Sequence, residues 1–276
     1  MPDATPERCL WKMPKSATSS ASWRLVQDLG WQPWAKGHLP AWRMFDPGPA
    51  GACTARVGVA PWEIPFHFGP VRSPWAWYAS LWQHTLRRKQ FRPSRDAYAT
   101  GPGFRGFLHG VTHIDPERIA DINKNRLIVI LDPEPGCSPP DGSAGLWTWC
   151  VDYFYRKDGE WLLDVLYPVD RAQEAWCEVT GDNKALPLRN TAKGRLDPLD
   201  PVTDSRGECT TDYSSWYDDE MVRWVSGADA EMINVFDFSP FTTSPQAIYP
   251  LHARRASQWA HPTSPPQSSS TSPSPS

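Results

Sequence analysis

Two runs dense in aromatic and branched side chains, 147–156 (Trp-Thr-Trp-Cys-Val-Asp-Tyr-Phe-Tyr-Arg) and 160–167 (Glu-Trp-Leu-Leu-Asp-Val-Leu-Tyr), flank Lys157-Asp158-Gly159. Alternation around a Gly-containing break predicts an antiparallel hairpin over 146–168. A two-residue Asp158-Gly159 turn is one way to close it. That register sets Tyr153 beside Asp164 and Asp152 beside Val165, so both faces mix charge with apolar groups. A three-residue loop with Gly159 in the left-handed bulge position instead pairs Tyr155 with Trp161, Tyr153 with Leu163, Val151 with Val165 and Trp149 with Tyr167. One face then becomes wholly aromatic and branched. A slip of one residue exchanges the two faces, so burial selects the three-residue loop. The choice is open to refutation, since a structure with Tyr155 opposite Leu162 excludes it.

The rest of the composition bounds what surrounds that ribbon. The chain has 276 residues, among them 16 Trp and 30 Pro. Trp at this density suits packing of irregular, proline-punctuated segments, because a large ring buries area without regular structure. Mean hydropathy is −0.53, and no apolar run approaches the ~20 residues of a membrane span. Residues 1–100 hold 13 Lys/Arg against 6 Asp/Glu, while the remainder holds 15 against 25. A basic first third and an acidic remainder suit either mutual attraction within one fold or two separate partners. The six cysteines form no CxxC pair, so neither a structural zinc site nor any other cofactor is expected. The first residues lack the apolar core of a secretory signal, which points to a cytoplasmic or nuclear protein with reduced thiols and no membrane contact.

These features predict an α+β fold: one domain over 23–250 with a central antiparallel or mixed sheet and helices packed on it. Its basic Trp/Pro-rich part spans 23–100 and its acidic, sheet-containing part 101–250. Residues 1–22 are expected as a mobile arm and 251–276 as a Ser/Pro-rich disordered tail. A short helix is expected near 22–29. Ser73-Pro74 opens a helix to about residue 90, with Trp75, Tyr78, Trp82 and Leu86 on one face. Asp115-Pro116 opens another over 116–123, and 126–131 reads as a strand buried on both faces. Ser214-Ser215 caps a helix over 215–226 that Gly227 ends. Segment 233–238 reads as a strand, or the longer 233–241 as an acidic-hydrophobic segment that docks on a partner.

Three groups of residues carry candidate chemistry. The preferred hairpin register puts Asp152 opposite Asp164, and two carboxylates sharing a site raise one pKa, which suits acid/base work; the alternative is that both face water or an intervening cation. His109 and His113 stand four apart. On a helix both would face one ion, but Gly110, Val111 and Thr112 are poor helix formers, so no metal site is expected there. Trp75, Trp77 and Trp82, with Arg87, Arg88, Lys89 and Arg92, combine rings with cations in the manner of single-strand nucleic-acid binders, or form an amphipathic helix with a solvated basic end.

The sequence Tyr155-Arg156-Lys157-Asp158-Gly159-Glu160-Trp161 resembles a hairpin common in NTF2-like proteins, which include small cyclases and dehydratases with a conical cavity. The resemblance covers about 24 residues. It implies a small cavity enzyme, lyase- or hydrolase-like, using Asp152 and Asp164 with a histidine from 109 or 113. Two other functions compete with it. The favoured one is a non-enzymatic interaction or accessory protein whose basic Trp-rich and acidic surfaces bind another protein. The third is a nucleic-acid-binding regulator acting through 75–95.

Overall fold

Parallel pairing organises the sheet. Strand β1 (Arg8–Leu10) runs parallel to β2 (Phe66–Val71), which runs parallel to β5 (Val165–Pro168), and β6 (Tyr249–Pro250) closes the other edge antiparallel to β5. The computed structural model describes residues 8–11, 13, 66–87, 96, 98–117, 141–181, 183, 184, 186 and 213–251. Helices and a mixed sheet give the expected α+β class. Strand β2 is nearly all buried, as a central strand with neighbours on both sides should be. Side chains press closely on its Gly69: a Cβ there would meet Leu163 Cδ2 at 2.9 Å and the Tyr155 ring at 3.1 Å. The Tyr155 hydroxyl lies across the strand and donates to the Pro70 carbonyl at 2.7 Å.

Part of the expected N-terminal arm belongs to this sheet. Arg8–Leu10 form its edge, and Cys9, Trp11 and Met13 are buried. The sparse apolar residues of that segment, masked by the prolines and serines around them, find a strand edge to cover.

Helix α1 (Pro74–Arg87) opens where expected, with Trp77 N–H donating to the Ser73 carbonyl at 2.9 Å. Trp75, Tyr78 and Trp82 are buried along its inner face. Helix α2 (Gly103–Thr112) was not expected, because glycine costs about 1 kcal/mol in a helix interior. The reason is close approach. A Cβ at Gly106 would lie 2.0 Å from the Gly101 carbonyl oxygen, and one at Gly110 would lie 1.6 Å from that of Tyr98. The backbone of 98–101 crosses the helix there, and Thr100 N–H bonds the Gly106 carbonyl at 3.0 Å.

The ribbon over 146–168 is overturned. Residues Leu146–Tyr155 form helix α3. Leu146, Trp147, Cys150, Val151, Phe154 and Tyr155 are its buried apolar side chains, at i, i+1, i+4, i+5, i+8 and i+9, a helical stripe. Trp149 and Tyr153 stack on one another at 5.1 Å, four residues apart on another face. These two rings supplied the false alternation. What remains of the hairpin is β3 (Arg156–Lys157) with β4 (Glu160–Trp161), in the register Arg156 to Trp161 and Lys157 to Glu160. Asp158 and Gly159 have φ of 51° and 80°, the primed two-residue turn whose twist suits adjoining strands. Leu162 N–H bonds the Tyr155 carbonyl at 3.0 Å, the pairing that excludes the bulged register. The segment resembling an NTF2-like hairpin is thus a two-residue ribbon outside the main sheet.

After β5, a 3₁₀ turn (Val169–Arg171) leads into α4 (Ala172–Thr180). In the acidic part, Ser214–Trp216 make a second 3₁₀ turn and Asp218, not Ser214 or Ser215, caps helix α5 (Asp219–Ala228). Gly227 does not end it. Asp229 joins α5 to α6 (Ala230–Phe236), which replaces the expected strand at 233–238. Met232 and Phe236 are buried one turn apart, and Asp237, at φ 49°, stops the helix in the left-handed region. Asp115 does bind the Glu117 N–H as a cap would, at 3.0 Å. The expected elements over 22–29, 118–123 and 126–131 lie outside the described residues, as does the tail beyond Leu251. No described helix is long and apolar enough to cross a membrane.

Candidate functional site

The aspartate pair inferred from the hairpin does not form. Asp152 lies on α3 and accepts from Arg156 at 2.7 Å, and the same guanidinium reaches Glu231 at 3.0 Å. Burial raises the Asp152 pKa, and Arg156 opposes that rise. Asp164 serves the sheet: its carboxylate accepts from His67 N–H at 2.7 Å, its own N–H bonds the His67 carbonyl and its carbonyl accepts from Leu251 N–H. Each carboxylate is held by a different structural partner. The pair depended on a strand that is a helix, so its basis is gone.

The proposed stacking platforms are core residues. Trp75, Trp77 and Trp82 are 1%, 0% and 4% exposed, so none of the three rings offers a face to a base. Trp77 packs edge-on against Tyr78, and Trp82 lies against Phe104 and Phe107. Arg88, Lys89 and Arg92 lie outside the described residues, and the described backbone places Arg87 at the last turn of α1.

His109 and His113 are brought together by the helix that the sequence reading rejected. Their rings stack 4.4 Å apart, within 9° of parallel. Both stand nearly perpendicular to the Trp224 ring on α5, at 5.0 and 5.8 Å between centroids. His113 is exposed and His109 half-buried. The guanidinium of Arg105, one turn before His109, sits over the Trp224 ring, 4.8 Å from its centroid. Its guanidinium pairs with Asp218 and Glu220 at the start of α5. Burial lowers the His109 pKa, helped by His113 and Arg105. Among the described residues no three His, Cys, Asp or Glu side chains converge as a metal-ligand group.

Sequence reasoning missed Asp229. It is fully buried between α5 and α6. Its carboxylate accepts from Thr148 N–H at 2.9 Å and from the Tyr78 hydroxyl at 2.9 Å, while that hydroxyl accepts from Trp147 N–H at 3.1 Å. Asp229 and Tyr78 together cap α3, whose own N-cap, Gly145, has no side chain for the task. Glycine is needed there because a Cβ would lie 2.6 Å from Asp229 Oδ1. Desolvation pushes the Asp229 pKa up to about 6 against the Thr148 N–H and Tyr78 O–H bonds that lower it. This is a core cap 81 residues from the amide it serves, and no local signal marks it.

The segment after α6 also departs from expectation. Val235 and Phe241 are the exposed large hydrophobic residues among those described, at 47% and 38%. Phe241 has φ 59°, in the left-handed region where a bulky residue is an outlier. Its ring leans on Tyr213 and Tyr217 at 6.0 and 5.4 Å. Below, Phe236, Phe238, Tyr249 and Trp147 form a buried aromatic group. No family model matches this chain, and neither the curated proteins nor the solved structures contain a match.

Proposed function

We propose that this chain is a non-enzymatic interaction or accessory protein, and that the segment 235–241 contacts its partner. The observation that carries this reading is Phe241. A left-handed backbone at an aromatic residue costs roughly 1–2 kcal/mol, and leaving 38% of the residue in water returns less than full burial would. Strain and exposure at one position fit a side chain held ready for a second surface. Asp237, also exposed and left-handed, lies between the two apolar side chains. Over 213–251 the exposed carboxylates are Asp218, Asp219, Glu220, Glu231 and Asp237; Arg105 pairs with Asp218 and Glu220 and Arg156 with Glu231, which leaves Asp237, beside the apolar side chains, and Asp219 against the one cation of this stretch, Arg223. The matching partner is therefore a protein segment that interleaves Arg or Lys with apolar residues. The segment 233–241 was read from sequence as a docking element in its second sense, and that sense is the one its exposure supports.

A random-peptide display library panned on the full chain tests this. Enriched peptides should combine basic and apolar residues, and Phe241→Ser or Val235→Ser should weaken them about tenfold, the effect of losing a modest anchor at an interface. No enrichment, or enrichment indifferent to both substitutions, overturns the proposal. So does binding of a single-stranded oligonucleotide that both substitutions leave intact while the peptides fail, because that outcome favours the basic segment 87–95 instead.

A further inference from the structure

We propose that Arg72, just past the carboxyl end of strand β2, anchors a binding site for a carboxylate carried on an aromatic body. The carboxyl ends of β2 and β5 lie side by side, since Val71 pairs with Pro168 in the parallel register. Arg72 and Asp170 therefore leave the sheet at neighbouring points. Where parallel strands turn away into helices, ligands settle beyond the carboxyl ends of the strands. Helix α1 starts from this corner at Pro74. Its first amides have no acceptor within the helix, so its positive end reinforces the Arg72 charge.

The surroundings of Arg72 leave its guanidinium without a counter-ion. Tyr213, Asp170 and Tyr217 act on it through space only, and desolvation outweighs them and lowers its pKa. Among the described residues this side chain makes no hydrogen bond and no ion pair. Asp170 is the carboxylate that could serve, but it is held by Ser244. Its Oδ2 accepts from the Ser244 N–H at 2.7 Å and its Oδ1 from the Ser244 hydroxyl at 2.8 Å. Tyr217 is committed as well, donating its hydroxyl to the Trp75 carbonyl at 2.8 Å in the first turn of α1. A desolvated cation is costly unless it is paired, and the planar fork of a guanidinium matches a carboxylate. Arg72 is only partly covered, so a small anion can reach it. The neighbours select the rest of the ligand. Tyr213 and Tyr217, with the Phe241 ring against both, supply aromatic surface for an aromatic body. The nearby Asp170 charge disfavours a dianion such as phosphate relative to a single negative charge.

The test is calorimetric titration of the full chain with benzoate, N-acetylphenylalanine, acetate and inorganic phosphate, repeated on Arg72→Met, Arg72→Lys and Arg223→Gln. The two aromatic acids should bind more tightly than acetate or phosphate. Preference for benzoate identifies a free aromatic acid as the ligand, and preference for N-acetylphenylalanine a peptide carboxyl terminus. Arg72→Met should weaken both by about tenfold or more, through loss of a charge-assisted pair. Arg72→Lys should also weaken them, because an ammonium keeps the charge but lacks the fork; it carries the comparison if the Met variant does not fold. Arg223→Gln removes an exposed cation and should change nothing. Benzoate should raise the Tm of the native chain and leave that of Arg72→Met unmoved. Aromatic acids that bind the native chain no better than either Arg72 variant, or not at all, overturn the proposal. Phosphate binding more tightly than benzoate does the same.

Discussion

Asp218 and Asp229 both accept backbone N–H bonds at the start of a helix, yet their settings are opposite. Asp218 is exposed and caps its own helix, α5, by bonding Met221 N–H at 2.9 Å. That bond is the main cause of its lowered pKa, with Arg105 contributing. Asp229 is buried and caps a helix that begins 83 residues earlier in the chain. Its pKa is raised because desolvation outweighs the same kind of bond. One residue type doing one job thus takes opposite electrostatic signs, and burial decides which. The local cap is short-range chemistry that α5 carries with it. The remote cap makes α3 dependent on the assembled core.

Removing the remote cap should cost most. Asp229→Ala leaves the Thr148 N–H and the Tyr78 O–H without their acceptor inside the core, and each such orphan costs roughly 1–3 kcal/mol. Urea denaturation at about pH 4, where the carboxyl is protonated in the fold, should show a loss of about 3 kcal/mol; a loss no larger than that of an exposed cap would erase the distinction. The pH dependence sharpens it further. A folded pKa of about 6 lies above the unfolded value, so the Asp229 contribution is fully present below about pH 4 and is lost as pH rises through about 6. The swing is on the order of 3 kcal/mol. Asp229→Asn should flatten stability between pH 4 and 6, and an unchanged slope would show that the carboxylate is already ionised in the core. The smallest effect belongs to the local cap. Asp218→Ala should cost about 1 kcal/mol. Its folded pKa is lowered, so its contribution is present at neutral pH and disappears only as pH falls through the acidic range. Equal losses for the two alanine variants would mean that the buried carboxylate is no more committed than the exposed one.

The same contrast governs what could be read from sequence. Helix α1 was legible because its signals are local: Ser73-Pro74 at the start and an apolar stripe through Trp75, Tyr78 and Trp82. The α+β class is right although the hairpin that argued for it is mostly a helix, because other segments, β1, β2, β5 and β6, build the sheet. Helix α3 was not legible, although Leu146, Trp147, Cys150, Val151, Phe154 and Tyr155 trace a helical stripe. Trp149 and Tyr153 fill gaps in that stripe and imitate a strand, and Gly145 gives no capping signal. Helix α2 was rejected for its glycines, whose purpose depends on the backbone of 98–101 lying against them. Of the candidate residues, the histidines met because α2 is a helix, and the aspartates separated because α3 is one.

The sequence by itself determined where helices can start on their own caps, that aromatic packing would build the interior, and that charge would divide between the first third and the rest. Tertiary structure decided the elements that cannot cap or justify themselves: α3 through Asp229 and Tyr78, α2 through the chain crossing Gly106 and Gly110, and the strained display of Phe241. The reason is range. A cap two residues away is written in the local sequence, whereas desolvation and close approach exist only after distant segments have met.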